Sequence, residues 1–337
     1  RIDKYLKKVL VQAPSSLIYK MLRKKDVKVN GKRVKENYIL HSGDEVELFL
    51  YEDKFKEYTK PLTIYELPIT FKVVYEDEHI LIVDKPAGLL VHEDINESVN
   101  TLSNQVLTYL HQKGEYDPEK NISFTPGPVH RLDRNTSGLV IFGKDMRALQ
   151  DLNTMMKTRQ GIEKKYLTIA MGHMKDAILS GYVKKNEEEG KMYLVKKDTP
   201  GALSMKTIVH VLKRCSTCSL VEVQLITGRT HQIRVHLSSN GLPIVNDPMY
   251  GKPSRDFKKM GLFAYEISFF DPVNENKINI SDKFYEGLLS YFKESDENVT
   301  PFMSSMFFQN KNDMINFLEN NDIANSFIAA ERISIEG

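Results

Sequence analysis

The residues best suited to chemistry lie in one polar run near the middle of the chain. Asp133 stands between Arg131 and Arg134, within residues 130–138. Cations so close would keep a partly buried carboxylate ionised, and an ionised, poorly solvated carboxylate can act as a nucleophile or as a base. The same residues could instead form a surface ion pair on a turn, which is common for such a pair. The local pattern leaves both interpretations open.

The residues that follow predict how this polar run is held. Residues 139–142 read LVIF and lie between Gly138 and Gly143. An apolar run bounded by glycines is typical of a buried strand. The polar residues would then form a loop anchored by that strand, and catalytic groups are often carried on such loops.

The central run resembles a known motif. Residues 126–133 read PGPVHRLD and residues 136–139 read TSGL, as in the central motif of the RluA-type RNA pseudouridine synthases. In that family the Asp of HRLD is the catalytic nucleophile, so the resemblance implies this role for Asp133. It also implies that Arg131 fills the space left by a flipped uridine and holds phosphates.

Two further stretches resemble motifs of the same family, in the family's order. Residues 75–92 read YEDEHILIVDKPAGLLVH, and residues 228–236 read GRTHQIRVH. In the family a Tyr packs against the target base, and Tyr166 is the matching position. An Arg of GRTHQIR pairs with the nucleophilic Asp, and we assign that role to Arg229, since a planar guanidinium can hold a carboxylate bidentately. Arg234 is expected to be a helix-face group or a backbone contact.

The first fifty residues predict a separate basic module. They hold 12 Lys and Arg against 6 Asp and Glu, which favours an anionic partner such as nucleic acid. The order helix, helix, VKVNGKRV hairpin and closing strand is similar to the S4-like RNA-binding domain, although a solvated charged face is the ordinary role of a lysine run. The expected RNA contacts, beside Arg131, are Lys20, Arg23, Lys24, Lys28, Lys32 and Arg33.

The composition narrows the class of protein. The 337 residues contain no apolar run long enough to span a membrane and only two cysteines, so we expect a cytoplasmic protein without structural disulfides. The cysteines form a C-x-x-C pair, but the residues around it predict two strands joined by a turn. The His and Asp residues match no metal-site pattern, so we predict no metal, no cofactor and no membrane partner, and a monomeric enzyme.

The sequence therefore predicts an α+β protein. Residues 1–50 would be the S4-like domain, 51–70 a linker, 71–280 a synthase domain with a mixed, mostly antiparallel central sheet and flanking helices, and 281–337 an acidic extension. The predicted activity is the isomerisation of specific uridines, in large-subunit ribosomal RNA first and transfer RNA second. The competing hypotheses are a non-catalytic RNA-binding or ribosome-assembly factor and an RNA hydrolase that uses Asp133.

Overall fold

The N-terminal module folds as its patterns predict. The computed structural model describes residues 1–59, 63–121, 124–214, 218–253 and 259–281. Two helices pack on a three-stranded antiparallel sheet with the order β2-β1-β3. The elements are α1 (Ile2–Val9), α2 (Ser15–Lys24), β1 (Val27–Val29), β2 (Lys32–Arg33) and β3 (Val46–Leu48).

The helical spacing of apolar residues explains how this module is held together. Ile2 and Leu6 on one face of α1, and Leu10 at its C-terminal end, are completely buried against Ile18 and Val27. A side chain buried in this way contributes about 1.5–3 kcal/mol. The Asn-Gly turn between β1 and β2 has positive φ at both residues, 50° and 73°, as a two-residue hairpin turn requires.

The predicted linker contains a helix, α3 (Glu52–Tyr58). Its last residue accepts a hydrogen bond from the backbone of Gln12 at 3.1 Å, which attaches it to the N-terminal module. Further along, the carbonyl of Tyr65 accepts a hydrogen bond from the Thr108 hydroxyl at 2.6 Å. Within the predicted linker, Tyr58 is therefore attached to the N-terminal module, and Tyr65 is attached to Thr108 in the second part of the chain.

The second part of the chain is built on one large mixed sheet with the order β10-β9-β11-β12-β8-β13-β7-β5-β4. All of its described strand pairs are antiparallel except β13 with β7. This confirms the predicted fold class. The strands are β4 (Lys72–Glu76), β5 (Ile80–Lys85), β6 (Gly127–Pro128), β7 (Ser137–Gly143), β8 (Ile162–Met171), β9 (Ala177–Asn186), β10 (Lys191–Val195), β11 (Leu203–Arg214), β12 (Cys218–Leu225), β13 (Leu262–Phe270) and β14 (Lys277–Ser281).

Alternating side chains of the sheet enter two cores, one on each face. Leu81 and Val83 of β5 belong to one core, and Ile80 and Ile82 belong to the other. The first core is covered by α4 (Leu102–Gln112) and α6 (Gln232–Ser239), and the second by α5 (Met146–Thr158). The sheet thus holds β7, β8 and α6 in fixed relative positions.

Two predictions fall partly outside the described residues. The strands predicted around the C-x-x-C pair are confirmed as β11 and β12, and Cys218 is buried, but Cys215 lies outside the described part of the chain. The acidic extension predicted for residues 281–337 lies outside it from residue 282 onward. None of the helices in the described ranges is both long and apolar enough to cross a membrane.

Gly138 is required where the polar loop enters β7. Its φ is +111°, and a Cβ atom there would lie 2.2 Å from the carbonyl oxygen of Ala264 in the neighbouring strand β13. We expect Gly138→Ala to lower the free energy of unfolding by roughly 3 kcal/mol or more, because left-handed strain and a backbone clash add together. Urea unfolding followed by circular dichroism would measure this.

Gly190→Ala is the matched control for that prediction. Gly190 also has positive φ, +63°, but nothing lies within 4 Å of the position of a Cβ atom. This substitution should cost only the left-handed penalty of about 1–2 kcal/mol. Equal losses in the two variants would mean that the approach of β13 does not constrain Gly138.

Candidate active site

A cavity of about 290 Å³ opens where the polar loop meets α6. Its walls come from residues 130–136, the C-terminal end of α5, the start of β8 and residues 225–234. The volume is near the lower end of the range for small-molecule pockets, about 300–1,000 Å³. The predicted residues Arg131, Asp133, Tyr166 and Arg229 all line it.

Asp133 is held by Arg234 in this cavity. The Oδ2 atom of Asp133 accepts a hydrogen bond from Nη1 of Arg234 at 2.8 Å, and the Asp133 side chain remains 25% exposed. The Arg234 side chain is only 6% exposed. The carboxylate is therefore fixed by a buried cation while one side stays open to the cavity.

Asp247 holds the other edge of the same guanidinium. Nε and Nη2 of Arg234 donate to the two oxygens of Asp247 at 2.7 and 2.8 Å, a bidentate pair. Burial raises the pKa of Asp247, but Arg234 and the backbone amides of Met249 and Tyr250 outweigh it and lower the pKa. Burial lowers the pKa of Arg234, and the two carboxylates raise it well above its ordinary value. Arg234 therefore stays charged and cannot rotate away from Asp133 without losing the Asp247 contacts.

The predicted pairing of Asp133 with Arg229 is wrong in this structure. Nε of Arg229 donates to the carbonyl of Ser204 at 2.9 Å. Residues 228–231 form an irregular turn, in which His231 has φ 53°, and α6 begins only at Gln232. The turn sends Arg229 toward β11 and places Arg234, in the first turn of α6, opposite the loop. Arg229 lines the cavity without contacting Asp133 through a hydrogen bond.

The two arginines next to Asp133 in sequence do not pair with it either. Nη2 of Arg134 donates to Asp94 at 3.2 Å on the exposed surface. Arg131 is exposed at the edge of the cavity. The predicted stabilisation of the carboxylate by its sequence neighbours is therefore replaced by a contact across 101 residues.

Lys85, the last residue of β5, is hydrogen-bonded to the polar loop. Its side chain is completely buried, and Nζ donates to the carbonyls of Pro86, Leu89 and Arg134 at 2.7–3.0 Å. Burial lowers the pKa of Lys85 to about 7, although the charges of Asp133 and Asp84 raise it. These contacts with backbone carbonyls give Lys85 a structural role.

Tyr166 forms an apolar part of the cavity wall. It lies in β8, is 5% exposed, and packs in the core with Val223 and Ala264. Burial raises the pKa of its hydroxyl, and the charge of Asp133 raises it further. The ring is therefore neutral and rigid, as a surface for stacking a base should be.

His231 and Tyr250 are a second set of groups beside Asp133. The Tyr250 hydroxyl accepts a hydrogen bond from the backbone amide of Met192 at 2.8 Å and lies 2.9 Å from Nδ1 of His231. Burial lowers the pKa of His231 despite the charge of Asp133, so the ring is neutral at pH 7. With Tyr250 donating to Nδ1, the His231 proton is on Nε2, which lies 3.7 Å from Oδ2 of Asp133.

Removing the Tyr250 hydroxyl should lower the rate of the reaction at Asp133 without unfolding the protein. In Tyr250→Phe the ring still packs against Arg234, whose guanidinium carbon lies 5.0 Å from the ring centroid, but His231 is free to change tautomer. We expect kcat to fall about tenfold, the effect of losing one hydrogen bond of about 1.4 kcal/mol. Tyr193→Phe, at an exposed position on β10, is the control. A kcat of Tyr250→Phe equal to that of the control would show that the Tyr250 hydroxyl does not contribute to catalysis by fixing the His231 tautomer.

Tyr250, Asp247 and Arg234 are the residues that sequence reasoning did not select. Asp247 and Tyr250 belong to the run 241–251, which follows α6 in the chain. The signal was present in part, because Asp247 and Tyr250 lie in a DPMYG sequence within that run. Asp247 reaches Asp133 through Arg234, and Tyr250 reaches it through His231, so their connection to the site depends on tertiary structure.

The predicted RNA-binding side chains of the N-terminal module lie mostly on its surface. Lys20, Arg23 and Lys24 of α2 are exposed, as are Lys32 and Arg33 of the hairpin. Lys28 is half-buried. Its Nζ lies 3.9 Å from Glu47 and 4.7 Å from the centroid of the Phe49 ring.

Two protein families match the chain. The model of the RNA pseudouridylate synthase family matches residues 79–239, which contain the loop of Asp133, β8 and α6. The S4 domain model matches residues 1–46, which are the N-terminal helices and most of the small sheet.

Curated relatives cover most of the chain. An RNA pseudouridine synthase of Mycoplasma capricolum is 37% identical over 279 residues, 79% of this chain and 86% of the relative. The ribosomal large subunit pseudouridine synthase C of Vibrio cholerae is 32% identical over 83% of this chain and 88% of the relative. The Escherichia coli protein of that name is 31% identical over 86% of this chain and 90% of the relative.

A solved structure has the same fold. Human RNA pseudouridylate synthase domain containing 1 superposes with a TM-score of 0.52 at 22% identity, covering 70% of this chain and 98% of that chain. At this identity the likeness supports the fold.

Proposed function

Because the chain belongs to the RNA pseudouridylate synthase family, we propose that it converts specific uridines of large-subunit ribosomal RNA to pseudouridine. The observation that carries the chemistry is the partly exposed Asp133 carboxylate, fixed by Arg234 at 2.8 Å in a cavity that Tyr166 also lines. A uridine must leave the RNA stack to reach such a cavity. Tyr166 offers its neutral ring to the extruded uracil.

The reaction is an isomerisation without a change in oxidation state, and it requires a nucleophile or a base at the ribose. The bond between N1 of uracil and C1′ of the ribose breaks, the base rotates, and a bond forms between C5 and C1′. C5 then loses a proton and N1 gains one. Asp133 acts either as the nucleophile at C1′ or as the base that removes the C2′ proton of a glycal route, and Arg234 keeps the carboxylate aimed in both.

The relatives and the N-terminal module support the proposed substrate class. Relatives named for the large ribosomal subunit cover 83% and 86% of this chain, and the exposed cations of α2 and the β1–β2 hairpin suit a phosphate backbone. Asp133, Tyr166 and Arg234 all come from one chain, so no second subunit is needed to form the cavity. We propose that the protein acts as a monomer in the cytoplasm.

A pseudouridine map of cellular RNA tests this proposal. RNA from cells that carry only the Asp133→Ala protein is compared with RNA from wild-type cells by chemical labelling and primer-extension stops. Stops lost at one or a few uridines of large-subunit RNA would confirm both activity and substrate. Stops lost in transfer RNA instead would correct the substrate. An unchanged map would reject the catalytic role and favour an assembly factor that only binds RNA.

A further inference from the structure

The lining of the cavity carries more cationic side chains than are needed to hold the Asp133 carboxylate. Five cationic side chains line it, but the one carboxylate in its lining, Asp133, is already paired with Arg234. Two of the remaining cations, Arg159 and Lys164, lie together on the side formed by the end of α5 and the start of β8. Neither contributes to holding Asp133.

Lys164 is a half-buried cation in the cavity wall. No carboxylate of the described residues lies within 4.0 Å of its ammonium group. Burial and, to a smaller extent, the positive charge of Arg159 together lower the pKa of Lys164 to about 8. The ammonium is nevertheless mostly charged at pH 7. Burial of an unpaired charge is costly, so such a group is expected where a ligand supplies the opposite charge.

Arg159 faces the same space, and the fold provides room for its guanidinium. Arg159 ends α5 in the left-handed conformation, with φ 59°. A Cβ atom on Gly228 would lie 2.2 Å from its Nη2 atom. A glycine at position 228 therefore lets the guanidinium lie against the turn that precedes α6, next to the cavity.

The position of Lys164 relates this pair to the stacking residue. Lys164 and Tyr166 are two residues apart on β8, so their side chains leave the same face of the strand, about 7 Å apart. Both line the cavity. One nucleotide can therefore contact both, with its base at Tyr166 and a charged group at Lys164.

We propose that Arg159 and Lys164 form a phosphate subsite that binds a backbone phosphate of the RNA next to the extruded uridine. The inference rests on the proposed function, since that function supplies the RNA. Two adjacent cations in the cavity wall, the half-buried Lys164 and the more exposed Arg159, match the charge and the acceptor oxygens of a phosphodiester, whereas the carbonyl oxygens of uracil are neutral. The subsite orients the ribose so that C1′ faces Asp133.

The salt dependence of catalysis tests this subsite. The substrate is RNA with tritium at C5 of uridine, isolated from cells that lack the protein, and tritium release measures kcat/KM over a range of KCl concentrations. We expect Lys164→Met to lower kcat/KM about 10- to 100-fold, as loss of a charged hydrogen bond does. The slope of log kcat/KM against log salt should become shallower by roughly 0.7, one phosphate contact with a single strand.

Two variants separate a phosphate contact from a structural role. Lys164→Arg keeps the charge and should keep the wild-type slope. Lys157→Met removes an exposed lysine from α5, outside the cavity, and should leave both kcat/KM and the slope unchanged. A Lys164→Met variant that loses activity but keeps the wild-type slope would overturn the subsite.

A binding measurement distinguishes failure of the subsite from failure of the proposed function. Uridine 5′-monophosphate should raise the melting temperature of the full chain more than uridine does, and Lys164→Met should remove that difference. If the wild-type protein releases no tritium but shows this Lys164-dependent preference, the function fails and the anion site stands. If it releases tritium but neither the slope nor the preference depends on Lys164, the subsite alone is wrong.

Discussion

Replacing Asp133 by asparagine should abolish pseudouridine formation and leave the protein folded. Asparagine has the same shape, and its amide oxygen can still accept the hydrogen bond from Arg234, which keeps its pair with Asp247. An amide, however, is neither a nucleophile nor a base at neutral pH. We expect kcat to fall roughly 10⁴-fold or more, as it does when a catalytic carboxylate or nucleophile is removed. Tritium release from C5 would measure it.

The folding of this variant and a matched control complete the test. The Asp133 side chain is partly exposed, so the free energy of unfolding should change by no more than about 1–2 kcal/mol. Asp94→Asn is the control, because Asp94 also accepts a hydrogen bond from an arginine, Arg134, but lies outside the cavity. A folded Asp133→Asn protein with a kcat within tenfold of the control would remove Asp133 from the chemistry.

Local patterns were enough to predict the elements that carry the site. The glycine-bounded run 139–142 is β7, and Gly138 meets a requirement for positive φ that its neighbours could not meet. The alternation of Val27, Val29 and the Asn-Gly pair gave the first hairpin. These features depend on residues near one another in sequence, where hydrophobic periodicity and turn chemistry act directly.

The partners of Asp133 could not be predicted in the same way. Arg229 and Arg234 are both in the third motif, and only the turn at residues 228–231 decides which of them faces the loop. That turn depends on His231 adopting φ 53° and on the Gln232 side chain accepting a hydrogen bond from the Arg229 amide at 3.0 Å. The resulting contact between Arg234 and Asp133 joins residues 101 positions apart, and spacing along the chain does not contain it.

Replacing Arg234 by methionine should damage both stability and catalysis, whereas Arg229→Met should damage stability little. Methionine keeps the volume at position 234 but leaves the Asp247 carboxylate buried, with its side chain 0% exposed, and without its cation. Removing one partner of a buried ion pair costs about 3–5 kcal/mol. Arg229 is half-buried, and its side chain makes one hydrogen bond, to a backbone carbonyl, so Arg229→Met should cost less than about 1 kcal/mol. Urea unfolding of the two variants would measure the difference.

A second substitution separates the two effects of Arg234. Asp247→Asn in the Arg234→Met background removes the uncompensated charge, and its amide oxygen can still accept hydrogen bonds from the Met249 and Tyr250 amides. The double variant should regain part of the lost free energy of unfolding. Its kcat should stay low, because Asp133 still lacks the guanidinium that aims it. Recovery of kcat together with stability would show that Arg234 acts only by holding the fold. Continued loss of kcat in a stable protein would show that Arg234 positions the carboxylate.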